Sequence, residues 1–314
     1  MKKRKRTFIL ASIIILLGLI GFYYLFPGTV FKTLLKIERS SSGLTKNSIN
    51  VNGLHIEYLE GGNGDTLLLI HGFTGDKDNW TRIGKHLTPH FRLIAIDLPG
   101  FGDSSQAPDG DYTISTQAKR LKSITAALNL KSFHLGGGSM GGCIAGIYAS
   151  YYPEDLKSLL LIAPLGINSA EPSIFDQQIE GGKPNIFLVS NISEYDQLLD
   201  HLFVERPFIP MPLKRGLAET AIKNKPLYSA IFEQVYKPTD VPPLEEVLNQ
   251  LSVRTQIMWG SQDKILHVSG AEILRELLPE STIEIIGDMG HNPMIENPKE
   301  TADRYLEFQN SIGN

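Results

Sequence analysis

The chain has 314 residues, 42% of them hydrophobic and 20% charged, which gives length for a large core and excludes a disordered or fibrous protein. Its net charge of −4 hides an asymmetry: with the basic run Lys2, Lys3, Arg4, Lys5 and Arg6 set aside, 25 basic residues face 34 acidic ones. That balance excludes a nucleic-acid footprint, and the single cysteine, Cys143, excludes a disulfide framework.

In chain order, the first element is Thr7–Phe26, twenty residues without a charge. At about 1.5 Å of rise per residue a helix of that length covers roughly 30 Å, the thickness of a bilayer core. The stretch is longer than the apolar region of a cleaved signal and ends in Tyr23-Tyr24-Leu25-Phe26-Pro27 rather than in small residues. It therefore predicts an uncleaved transmembrane anchor, with aromatic rings near its far end. The basic run before it predicts a cytoplasmic amino terminus and a catalytic body on the outer side; Lys32 and Lys36 reduce that contrast without reversing it. The expected organisation is 1–30 anchor, 31–50 connector with Ser40-Ser41-Ser42-Gly43, and 51–166 plus 244–314 body.

Beyond the connector, short apolar runs bounded by turn residues recur at Leu54–Leu59, Thr66–Ile70, Phe91–Ile96, Phe133–Leu135, Leu159–Ile162, Thr255–Trp259 and Thr282–Ile286. Such runs are what strands covered on both faces look like. Helix-length segments lie between many of them, as at Thr113–Leu130, where Ile114, Ala118, Leu121, Ile124, Thr125 and Leu128 share a face. The alternation predicts an α/β fold with a mostly parallel sheet flanked by helices. Residues 167–243 break the rhythm with prolines and apolar side chains, and predict an inserted helical cap. Phe187, Leu188, Leu199, Phe203 and Phe208 are expected to line it.

Gly137-Gly138-Ser139-Met140-Gly141 fits the G-x-S-x-G elbow, with Ser132–Leu135 as a strand leading in and Gly142–Ala149 as a helix leading out. The turn strains the nucleophile's backbone and needs small neighbours two residues away, and it points the hydroxyl at a helix amino terminus. A serine needs a histidine base and a carboxylate to orient it. Asp263 follows the strand Gln256–Trp259, and His291 follows the strand Thr282–Ile286, in the chain order serine, acid, histidine. Asp288 competes for the acid's place. Oxyanion donors are expected at the backbone N–H of Met140 and of Phe73, in the loop after Leu67–Ile70; His71 is read as holding that loop by hydrogen bonds.

With these residues located, HGFTGDKDNW, AIDLPGFGDSS, HLGGGSMGG, IMWGSQDKIL and GDMGHNP resemble the lipase/esterase branch of the α/β hydrolases, and within it the membrane-anchored monoacylglycerol lipases and their bacterial lipase relatives. The resemblance runs from about Val51 to Phe308. It implies the α/β-hydrolase fold, a triad at Ser139, Asp263 and His291, oxyanion donors at Phe73 and Met140, and no cofactor or metal. Gly138 stands where that family often has a bulkier residue. The activity expected is hydrolysis of carboxylic esters such as monoacylglycerols through an acyl-enzyme. The alternatives are a carbon–carbon bond hydrolase of meta-cleavage type, and an acyltransferase or ligand-binding protein on the same fold.

Overall fold

The near-continuous apolar runs become strands because helices cover both faces of the sheet they build. The structure is a computed structural model that describes Phe8, Gly18, Gly21 and residues 23–312. Its strands are β1 Leu44–Val51, β2 Leu54–Gly61, β3 Thr66–Ile70, β4 Arg92–Ile96, β5 Phe133–Gly138, β6 Leu156–Ile162, β7 Thr255–Gly260 and β8 Thr282–Ile286. They stand in the order β1-β2-β4-β3-β5-β6-β7-β8. β2 runs antiparallel to β1 and β4, and the neighbours from β4 to β8 pair in parallel.

Side chains alternate across this sheet. Leu68, Ile70, Ile94, Ile96 and Leu135 enter one core, while Leu67, Leu69, Leu93, Ala95 and Leu160 enter the other. The helices are α1 Pro27–Ser41, α2 Thr81–Leu87, α3 Ile114–Ala127, α4 Met140–Tyr151, α5 Ile174–Glu180, α6 Ile192–Leu202, α7 Met211–Val235, α8 Leu244–Leu248, α9 Ser269–Leu277, α10 Pro293–Glu296 and α11 Pro298–Ile312. α3 and α4 close the first core, and α2 and α11 close the second. Between β6 and β7, across the stretch expected as an inserted cap, the chain runs through α5, α6 and α7.

The connector expected over 31–50 is replaced by regular structure: most of α1, then β1, which pairs with β2 along its whole length. β1 escapes a search for apolar runs because only its end residues, Leu44 and Val51, are buried. The hairpin closes at Asn52 and Gly53, both with positive φ (51° and 80°), the geometry of a tight type I′ turn. α1 docks on α7, where Gly216 allows the approach: a Cβ there would lie 2.4 Å from Phe31 Cδ2. The span expected over Thr7–Phe26 lies mostly outside the described residues, and among these no helix is long and apolar enough to cross a membrane.

Candidate active site

The serine comes first because its backbone is the most constrained. Ser139 sits between β5 and α4 with φ 56° and ψ −122°, a conformation that costs a non-glycine residue about 1–3 kcal/mol. The surroundings impose it. A Cβ on Gly137 would come 2.2 Å from Gly141 O, and one on Gly141 would come 2.4 Å from His71 O. The Ser139 N–H donates to Ile162 O at 2.9 Å, locking the elbow to β6. The side chain is half-buried at the amino terminus of α4, where the helix dipole favours developing negative charge.

Asp263 follows β7 and His291 follows β8, so two adjacent parallel strands deliver both side chains to one sheet edge. His291 Nδ1 meets Asp263 Oδ2 at 2.7 Å, and the histidine is 3% exposed. The other oxygen, Oδ1, accepts the Ile265 and Leu266 N–H groups at 2.8 and 3.1 Å, which fixes the carboxylate plane. An Nδ1–H donated to Asp263 leaves the Nε2 lone pair free. Asp288 is exposed and takes a hydrogen bond from Gln262 Nε2 at 3.0 Å, away from the imidazole. Ser139 and His291 line one cavity, although no hydrogen bond between them is made among the described residues.

The loop after β3 lies against the serine: a Cβ on Gly72 would be 3.1 Å from Ser139 Cβ. Neither the Phe73 nor the Met140 N–H donates to an acceptor among the described residues, so both remain available to an oxyanion. His71 holds this loop. Its Nδ1 lies 2.8 Å from Gly72 O, and its Nε2 accepts the Leu98 N–H at 3.1 Å. Burial pushes the imidazole down to about 4, so it stays neutral in the role of a support. A buried ion pair ties the same loop to the one after β4, with Lys77 Nζ 2.7 Å from Asp97 Oδ2.

The cavity measures about 260 Å³. Phe187, Leu198, Leu199, Phe203 and Leu213 form its cap-side wall, and Phe31 and Leu35 reach it from α1. Two of the five expected lining residues fall elsewhere. Leu188 packs on the body's core, and Phe208 is 84% exposed, held by Arg82 through its carbonyl at 2.9 Å. Glu296 gave no signal in the sequence, yet its carboxylate gathers the N–H groups of Gly290, Val204 and Glu205 at 2.9, 2.9 and 2.6 Å. It thereby joins the histidine loop to the end of α6, where the His291 N–H also donates to Leu202 O at 2.8 Å.

A family model described as "alpha/beta hydrolase fold" matches residues 65–187. Lipase 1 of Psychrobacter immobilis is 35% identical over 89% of this chain and 88% of its own length. This chain belongs to the α/β-hydrolase family. Monoacylglycerol lipase ABHD6 of Mus musculus is 32% identical to the hydrolase over 81% of this chain and 78% of that protein. A crystal structure of "a membrane phospholipase A, a novel bacterial virulence factor" superposes with a TM-score of 0.89 at 40% identity, over 98% of this chain and 99% of that one. These relatives make the hydrolase a carboxylic ester hydrolase of the lipase/esterase kind.

Proposed function

We propose that the hydrolase cleaves apolar carboxylic esters of the monoacylglycerol type through an acyl-enzyme. Ser139 Oγ attacks the ester carbonyl, and His291 Nε2 takes its proton and returns it to the leaving alcohol. Asp263 holds the imidazole in the Nδ1–H tautomer and stabilises its cation. The Phe73 and Met140 N–H groups receive the oxyanion. Water then attacks the acyl-enzyme by the same route, and no cofactor enters. The observation that carries this reading is the 2.7 Å bond from a buried His291 to Asp263 beside a cavity that Ser139 also lines. A serine–histidine hydrogen bond is often loose before substrate binds.

The substrate class follows from the wall. Phe187, Leu198, Leu199 and Phe203 suit an alkyl chain, each buried CH₂ contributing about 0.8 kcal/mol. Residues 167–243 act as a cap over the body. The charge-free Thr7–Phe26 acts as a single-pass anchor, amino terminus cytoplasmic and body outside, so the enzyme works where such esters concentrate. The decisive experiment is hydrolysis of p-nitrophenyl esters and monoacylglycerols of graded chain length by the wild type and Ser139→Ala. Ser139→Ala is expected to lower kcat by roughly 10⁴ to 10⁶. Residual activity above a few per cent removes Ser139 from the mechanism.

A further inference from the structure

The cavity beside Ser139 takes one wall from α1, a helix that precedes residues 65–187, the stretch matched by the family model. Phe31, Leu35, Glu38 and Arg39 line it, at the i, i+4, i+7 and i+8 spacing of a single helical stripe. The stripe changes character along its length. Arg39 forks onto Asp78 at 2.6 and 2.5 Å, and Glu38 Oε1 accepts Arg82 Nε at 2.9 Å, so one end carries charges that are paired off. Asp78 belongs to the turn Lys77–Trp80 that continues the oxyanion loop, so this is the catalytic end. Phe31 and Leu35 make the other end apolar.

Two helices place Phe31 away from the chemistry. On α1 it precedes Arg39 by about 12 Å of helix axis. Its ring lies against Gly216 of α7, where a Cβ would come 2.4 Å from Phe31 Cδ2 and 2.7 Å from both Cε2 and Cγ. Gly216 in turn precedes Tyr228 by about 18 Å of helix axis. Tyr228 is the α7 residue whose ring meets Phe73 of the oxyanion loop, at a centroid distance of 6.0 Å. Along both helices, the contact of Phe31 with Gly216 therefore stands well back from the loop that packs on Ser139. Leu35 on α1 and Leu217 and Ala221 on α7 supply apolar wall between those points. Glycine is a poor helix former, yet Gly216 stands inside α7, and any side chain there would displace the ring.

We propose that Phe31 is the stop for the acyl chain, a specificity-determining residue that α1 brings to a cavity otherwise built by body and cap. An ester held with its carbonyl at Ser139 lays its chain along Leu35, Leu217 and Ala221 and ends at the Phe31 ring, which Gly216 seats. Each further CH₂ that covers apolar wall strengthens binding, and one that reaches the ring finds no room. Chain length is thus read by a helix outside the stretch that the family model matches. The proposal rests on the ester-hydrolase reading above and extends it to the length of the acyl chain.

The test uses the full chain in detergent micelles with p-nitrophenyl esters of graded acyl length, reading kcat/KM at each length. Two variants move the stop in opposite directions. Phe31→Ala removes it, and Leu35→Phe sets a larger side chain one turn nearer the catalytic end. Phe31→Ala is expected to raise kcat/KM on esters just beyond the wild-type optimum roughly tenfold relative to the optimum itself, the effect of room for one or two more CH₂ groups. Leu35→Phe is expected to move the optimum to shorter chains, with the shortest ester cleaved near the wild-type rate by both variants. An optimum unchanged in both variants overturns the proposal, because the chain then lies along another wall. A proportional fall at every length in both also overturns it and makes α1 a prop for the oxyanion loop. A wild type that cleaves none of the esters refutes the ester-hydrolase reading and takes the stop with it.

Discussion

The loops that carry Ser139, Asp263 and His291 each start where a strand of the parallel sheet stops, whereas the wall opposite them is built from α5, α6 and α7. The strand ends are pinned by backbone hydrogen bonds to their neighbours, as when Ser139 donates to Ile162 O and Ala163 to Met258 O, both at 2.9 Å. The cap wall is held largely by ring packing. Phe73, from the oxyanion loop, reaches Phe187 and Phe232 at centroid distances of 5.6 Å, and Phe232 stacks on Tyr236 at 4.7 Å. Backbone pairing fixes directions; side-chain packing fixes volumes. Changes at the strand ends are therefore expected to alter the rate of the chemistry, and changes in the cap to alter which ester fits.

The sharpest test of that contrast is Asp263→Asn, expected to lower kcat about 10³ to 10⁴-fold on every ester through loss of the correct tautomer. Asp288→Asn, on an exposed side chain turned toward Gln262, should stay within a few-fold of wild type. Steady-state rates on one soluble ester check both, and the opposite ranking would move the acid to the histidine loop.

Phe203→Ala should have a smaller effect of another kind. Removing this buried ring widens the cap wall, so the optimum among graded p-nitrophenyl esters should move to longer chains and the original optimum should lose roughly tenfold. A uniform fall at all chain lengths would show instead that Phe203 supports the neighbouring histidine loop, and the separation of roles between body and cap would fail.

The mildest effect is expected from cutting the chain after Phe26, which spares α1 and its part in the cavity. Hydrolysis of short soluble esters should stay near wild type, while long-chain monoacylglycerol in vesicles should be cleaved several-fold more slowly, as the proposed anchor would raise local concentration without touching the chemistry. Equal loss on both substrates would make residues 1–26 part of the folded body.

The strands legible in the sequence are those with near-continuous apolar runs, whether buried like β3 or at the half-exposed sheet edge like β8. Thr66–Ile70 and Thr282–Ile286 read true to the residue, and the elbow was readable because Gly137 and Gly141 are sterically required there. β1 was not legible as an apolar run, although Asn52-Gly53 carries a strong hairpin signal that pointed to a strand on each side. In the cap, residue type gave apolarity but not direction. Leu188 turned to the body and Phe208 to solvent because both lie in the irregular segments between the helices of this insert, where no helix or strand period sets which side chains face inward. Glu296 was silent for another reason. What marks it is the set of amides it gathers in space, and no spacing along the chain encodes that.

Glu296 couples the end of α6 to the loop that carries His291. One carboxylate holds amides from both the histidine loop and the chain leaving α6. Swinging the end of α6 away would break the Val204 and Glu205 hydrogen bonds and strip Leu202 O from the His291 amide in the same movement. A displacement of the end of α6 is therefore expected to carry the His291 loop with it.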